Sequence, residues 1–358
     1  MKALQDVEWL EPLVEQHANP ELDLWIDKHA SSDMPHTPYL ADCAWMLRAD
    51  VYLDESYSRI TDIAPLIYMA VSRDNSCRFC YGAVRFLMRI QGMSEKEIEG
   101  LERDIDTAAI EPRIKLALDF SRRVSRSNPP PGAADKQALR DVGYDDTGIK
   151  EIAFQAADVI FHNRMATLLA LPLGFSDVLN EKGMLATLRE QFGRLLAQIS
   201  TPAKTEMLTP EMKTGPYSAV VNELDGIIQA RMLRMIIDEA WASPNLPTKT
   251  KALIFAVIAR GLGSKGCEQE AYRLLELEGL SCECVDTILA HLSGPELDPA
   301  EILILPYVRE TIWYQAPSAQ RRGRDLGERL SNKQFLETVG IAALANMVCR
   351  LELVLDVD

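Results

Sequence analysis

Apolar positions recur along the chain with the three- and four-residue spacing of one helix face, and no stretch alternates as a half-buried strand does. LIYMAVSR at 66–73 and LIFAVIAR at 253–260 are two such runs. The pattern predicts an all-α fold. Helix starts are marked by residues whose side chains satisfy free backbone amides. Ser94-Glu95-Lys96-Glu97 and Ser331-Asn332-Lys333-Gln334 are capping boxes, the latter opening a helix that runs to about Leu353. Asp298-Pro299 sets an N-cap before a proline at the first helical position. Gly92 and Gly279 each follow an amphipathic run, where a left-handed C-terminal turn favours glycine. The segment 127–132, with three consecutive prolines, is a loop, because proline removes donors and clashes with the preceding turn.

The pattern also repeats. Residues 87–94 (LMRIQGMS) correspond to 274–281 (LLELEGLS), and 66–73 to 253–260, each 187 positions later. Pro112 matches Pro299, Phe120 matches Tyr307, and Arg164 matches Arg350 at an offset one shorter. Chance likeness between apolar helices is the plainer explanation, but it gives no reason for a fixed offset. The expected organisation is an extension at 1–35, a first unit at 36–178, a connector at 179–205 (helical through 188–199) and a second unit at 206–358. Two similar units in one chain suggest a fused pseudo-dimer, in which an interface between identical subunits has become intramolecular.

A length of 358 residues accommodates two ordinary domains of this kind. The formal charge of −15, with no basic block, would repel a phosphate backbone, so no nucleic-acid partner is expected. No apolar run approaches the roughly 20 residues of a membrane span, and the acidic start does not read as an export signal. A cytoplasmic location, with no membrane partner, is the expectation. Seven cysteines are an odd number there, so a close pair is read first as redox or metal chemistry.

Cys77-Arg78-Phe79-Cys80 is that pair. It stands at a predicted helix start, where the helix dipole and Arg78 favour thiolate. One thiolate attacks an oxidant or a disulfide, and its neighbour resolves the product as an intramolecular disulfide. An inert structural pair is the second reading. Zinc, the third, needs two more ligands, and Cys282-x-Cys284 with His291 is a poor match to the usual spacing. No metal is expected. No nucleotide fingerprint occurs, and no cofactor is expected.

Residues 71–80 (VSRDNSCRFC), the run to Gly92 and 93–98 (MSEKEI) resemble the carboxymuconolactone decarboxylase and alkylhydroperoxidase-D-like superfamily. Residues 117–120 (ALDF) and 161–166 (FHNRMA) resemble it too, and the second unit does so faintly. The resemblance implies an all-α fold and a homo-oligomer. By position it makes Cys80 the peroxide-attacking thiol and Cys77 the resolving one. The substrate would be a hydroperoxide or a disulfide, and an external thiol the reductant. The family's peroxidases place a Glu twelve residues before the first Cys and a His four after the second. Here those positions hold Pro65 and Val84, so the usual proton relay is missing. The alternatives are a non-catalytic or redox-sensing assembly protein and, with less support, a decarboxylase-like enzyme.

Asp158 and His162, four residues apart on one helix face, are the candidate substitute relay, with Gln155 one turn earlier. The competing reading is a structural His on a packed helix. In the second unit Cys80 aligns with Cys267 but Cys77 with Ser264, and Gln155, Asp158 and His162 with Ile341, Leu344 and Val348. That unit is expected to be scaffold. Cys43, Cys282, Cys284 and Cys349 are expected to be small buried hydrophobes in helices. Arg164 and Arg350 are expected to form ion pairs between helices, with a carboxylate clamp as the alternative.

Overall fold

Fifteen α-helices and a short 3-10 turn, with no strand, make up the described residues of the computed structural model. These are residues 40, 42–54, 60, 62–90, 93–103, 110–171, 207–355 and 357. The expected extension, the connector with its helix at 188–199, and Gly92 lie outside them. None of the described helices is long and apolar enough to cross a membrane.

The helices are α1 (Ala44–Asp54), α2 (Ala64–Asp74), α3 (Arg78–Ile90), α4 (Glu95–Arg103), α5 (Pro112–Arg126), α6 (Ala133–Asp141) and α7 (Asp146–Leu168). They continue, after the connector, as α8 (Ser218–Glu223), α9 (Ile228–Ala242), α10 (Thr248–Leu262), α11 (Lys265–Leu277), α12 (Cys282–His291), α13 (Pro299–Glu310), α14 (Ala316–Gly327) and α15 (Asn332–Val354). The cap residues act where the sequence places them. Ser94 Oγ accepts from the Glu97 amide while the Glu97 carboxylate accepts from the Ser94 amide at 2.7 Å. Asp298 with Glu301 and Ser331 with Gln334 make the same exchange at α13 and α15. Gly279 takes φ +86°, which leaves the Leu280 amide free to bond the Leu275 carbonyl at 3.0 Å and close α11.

The periodicity of the sequence becomes a periodicity of helices. α3, α4 and α5 begin at 78, 95 and 112, and α11, α12 and α13 begin at 265, 282 and 299, 187 positions later in each case. α7 and α15 close the two series, and both have 23 residues. These two long helices form the most extensive helix–helix contact of the described residues. Their low amphipathicity explains the placement: a helix apolar on most sides finds its stable position between other helices.

One core lies mainly within α2–α7, around Ile67, Leu118 and Ile152, and Val354 of α15 reaches into it. A second fills the other half and extends across the seam to Phe154 and Phe161 of α7 and to Cys77 and Cys80. α1 packs on α9. It also crosses α15 so closely that a Cβ at Gly340 would stand 2.6 Å from Met46 Sδ, and any larger residue there would force Met46 and Trp45 to shift.

Two fully buried arginines tie the halves together reciprocally. Arg164 of α7 donates to the carbonyls of Thr311 and Ile312, just past the end of α13, at 2.9 and 2.8 Å. Arg350 of α15 donates to Ser125 in the last turn of α5 at 2.9 Å, and to Ile312 at 2.9 Å. The expected ion pairs are therefore corrected: among the described residues neither guanidinium has a carboxylate partner. Helix ends supply the reason, since their last carbonyls lack intrahelical donors and carry about half a negative charge.

Candidate dithiol site

The dithiol is positioned by the turn that ends α2. Asn75 caps that helix, Ser76 takes φ +56°, and the Cys77 amide bonds back to the Ser72 carbonyl at 3.0 Å. Cys77 thereby stands immediately before the first residue of α3, and Cys80 lies one turn on. Their Cα atoms are 5.5 Å apart and the two sulfurs are joined as a disulfide. The Cys80 amide also donates to Cys77 Sγ at 3.2 Å. Both cysteines are only 1 % exposed.

Asn75 fastens this turn to its surroundings. Its side chain donates to Ser125 Oγ at 3.2 Å and to Asn163 Oδ1 at 2.9 Å, and Asn163 in turn donates to Ser72 Oγ at 2.9 Å. Tyr314, from the second half, donates its hydroxyl to the Asn75 carbonyl at 3.1 Å. The dithiol turn is thus held by α5, α7 and the loop after α13 together.

Asp158 and His162 meet as their spacing predicts. His162 Nδ1 lies 3.1 Å from Asp158 Oδ1, and Gln155 Nε2 donates to Asp158 Oδ2 at 3.3 Å. Nδ1 is also 3.1 Å from the Asp158 carbonyl oxygen. Asp158 and His162 are buried, and the imidazole packs against Tyr68 of α2 and edge-on to Phe161. The structure therefore forms two pairs, the dithiol on α3 and the Asp–His pair on α7, on helices that pack against each other. Pro65 and Val84, in the positions of the missing relay, are buried apolar residues.

The second half treats its equivalent position differently. The Ser264 hydroxyl donates to the Glu352 carboxylate, which also receives the Gly266 amide at 3.2 Å. A carboxylate from α15 thus caps α11. Burial and a bond with Cys349 push the Cys267 thiol well above its ordinary pKa, which keeps it protonated and unreactive. Ile341, Leu344 and Val348 are fully buried core residues. Among the other cysteines, Cys43 and Cys349 are buried as expected. Cys282 is exposed and Cys284 half-buried, which corrects the expectation for them: they lie in the first turn of α12, where the capping Ser281 faces solvent. Cys43 precedes α1 and is not helical.

Sequence reasoning missed Asn75, Tyr314 and Glu352. Only Glu352 left a signal: at the offset that pairs Arg164 with Arg350, it stands where the first unit has Ala166. Among the described residues, no group of three or more His, Cys, Asp and Glu side chains is placed to hold a metal ion. Comparison of the chain with family models, with curated proteins and with solved structures finds no match.

Proposed function

We propose that the chain is a thiol-dependent, peroxidase-like oxidoreductase built on two alkylhydroperoxidase-D-like units, with Cys77 and Cys80 as its reactive dithiol. The observation that carries this reading is the juxtaposition of the two sulfurs at a helix start, with the Cys80 amide on Cys77 Sγ. The constant 187-residue offset of helix starts and the reciprocal arginine bonds support the pseudo-dimeric scaffold.

In the reaction, the Cys80 thiolate attacks the terminal oxygen of a hydroperoxide. The O–O bond breaks, the alkoxide takes a proton and leaves as an alcohol, and Cys80 becomes a sulfenic acid. The Cys77 thiolate then attacks the sulfenic sulfur, and hydroxide leaves as water once protonated. An external thiolate attacks Cys80 Sγ and expels Cys77 as thiolate, and a second external thiolate attacks the outer sulfur of the mixed disulfide, which frees Cys80 and carries the oxidation away as an external disulfide. The amide bond and the helix field stabilise Cys77 as a thiolate, which makes it the better leaving group.

Burial of both sulfurs favours a second reading, a redox-sensing assembly protein whose dithiol oxidises slowly. One experiment separates the two. The reduced chain is mixed with hydrogen peroxide and with an organic hydroperoxide, and sulfenate and disulfide at Cys77 and Cys80 are followed by mass spectrometry. The enzyme reading expects oxidation much faster than that of a free thiol, with sulfenate accumulating on Cys80 in C77S. Rates equal to those of an unactivated thiol would leave only the sensor.

A further inference from the structure

We propose that the cleft at the seam between the two halves binds a small organic anion, whose carboxylate is received by Arg164 and Arg126. The cleft has a volume of about 360 Å³ and opens between the Asn75–Ser76 turn and Trp313–Tyr314. That is room for a metabolite-sized molecule.

Charge is the first argument. In a chain of net charge −15, the cleft is surrounded by guanidinium groups. Arg164 and Arg126 line it, and the wall carbonyl of Ile312 is bonded from behind by Arg350. The one acid in the lining, Asp74, is already shared: Arg122 bonds it at 2.9 and 3.1 Å, and Arg126 at 2.9 Å. Glu310, beyond Trp313, is paired with Arg322. The ends of α5 and α13 offset about half a charge each. Four guanidiniums set against one carboxylate and two helix ends leave net positive charge around the cleft. Arg164 carries its charge fully buried, and a counter-ion beside it would offset that desolvation.

Shape is the second argument. Arg164 lies 5.4 Å from the Tyr314 ring centroid, so the ring orients the guanidinium plane while its hydroxyl fixes the Asn75 turn. Trp313 is 55 % exposed yet held by its indole N–H on the Arg126 carbonyl at 2.9 Å. An exposed but anchored indole offers an apolar wall for the body of a ligand whose carboxylate points inward. The site does not depend on the dithiol chemistry, although Ser76 of its rim is the residue before Cys77.

The test uses the full chain in Tris chloride, free of other carboxylates, with binding read by calorimetry. The probes are succinate, inorganic phosphate and the uncharged dimethyl succinate. Succinate is expected to saturate one site per chain with Kd of about 1 mM or below, and dimethyl succinate not to bind. Arg126→Glu, a change at an exposed rim position, is expected to weaken succinate by about tenfold or more. Arg164→Lys should weaken it as well; if that variant does not fold, Arg126→Glu decides. A C77S/C80S chain is expected to bind succinate as wild type does, so failure of the dithiol reading leaves this site standing. The proposal is overturned by the absence of saturable succinate binding, by binding that ignores Arg126→Glu, or by phosphate binding more tightly than succinate.

Discussion

Arg164 and Arg350, from the last helix of each half, donate to the same acceptor, the Ile312 carbonyl, at 2.8 and 2.9 Å. Each also bonds a carbonyl at a helix end of the opposite half. Replacing either with Met removes donors from the carbonyls of buried residues. R164M and R350M are each expected to lower stability by about 3 kcal/mol in urea denaturation. Because either arginine alone still serves the Ile312 carbonyl, the double variant, which leaves it without a donor, should lose more than the sum of the two.

Lys251 and Glu337 form a fully buried pair at 3.0 Å, and Lys251 also donates to the Ala240 carbonyl at 2.8 Å. K251M leaves the Glu337 carboxylate buried without its cation. A loss of about 3–5 kcal/mol is expected, measured as a fall in the urea midpoint. The solvent-exposed Arg140–Asp146 pair is the contrast, and R140A should stay within about 0.5 kcal/mol of wild type.

Burial raises the Cys43 and Cys267 thiols well above their ordinary value of 9.0. Unfolding restores that value, so above pH 9 the unfolded chain releases protons that the folded chain retains. The stability contributed is complete below about pH 9 and declines as pH rises toward the folded values. Denaturation from pH 7 to 11 should show this decline, and C267S should reduce its slope. In the reduced native chain, iodoacetamide at pH 8 should label exposed Cys282 well before Cys43, Cys267 or Cys349.

The buried Asp158–His162 pair bears on the dithiol only if the imidazole moves a proton for it. On that role, H162A slows oxidation of the reduced dithiol by about tenfold near neutral pH and flattens its pH dependence. Equal rates in wild type and H162A from pH 6 to 8 would assign the pair to packing alone.

Much of the helical frame was legible because its signals are local. Ser94 with Glu97, Asp298 with Glu301 and Ser331 with Gln334 act within one turn, and so do Asp158 and His162. The destinations of the arginines were not legible. Their acceptors are backbone carbonyls 147 and 225 positions away, and a carbonyl at a helix end leaves no mark of residue type. A charged side chain in an apolar helix suggested an acid partner, whereas the helix termini supplied the negative end of a dipole. The dithiol turn was half legible. Cys77 and Cys80 were plain, but Asn75 looks like any loop residue, and Tyr314 reaches it from 239 positions away. The capping of α11 by Glu352 crosses 86 positions and was hidden for the same reason.

The crossed arginine bonds belong to one chain, and that changes what governs them. Between separate molecules, such a contact would loosen on dilution. Within one chain, each guanidinium meets its carbonyl at an effective concentration fixed by covalent connection. The unfolding midpoint contributed by this seam should therefore be the same at nanomolar and at micromolar protein. The two faces of the seam are also released from having to match themselves. One side holds a disulfide turn and the other a carboxylate cap, an asymmetry that a pair of identical subunits has no means to encode.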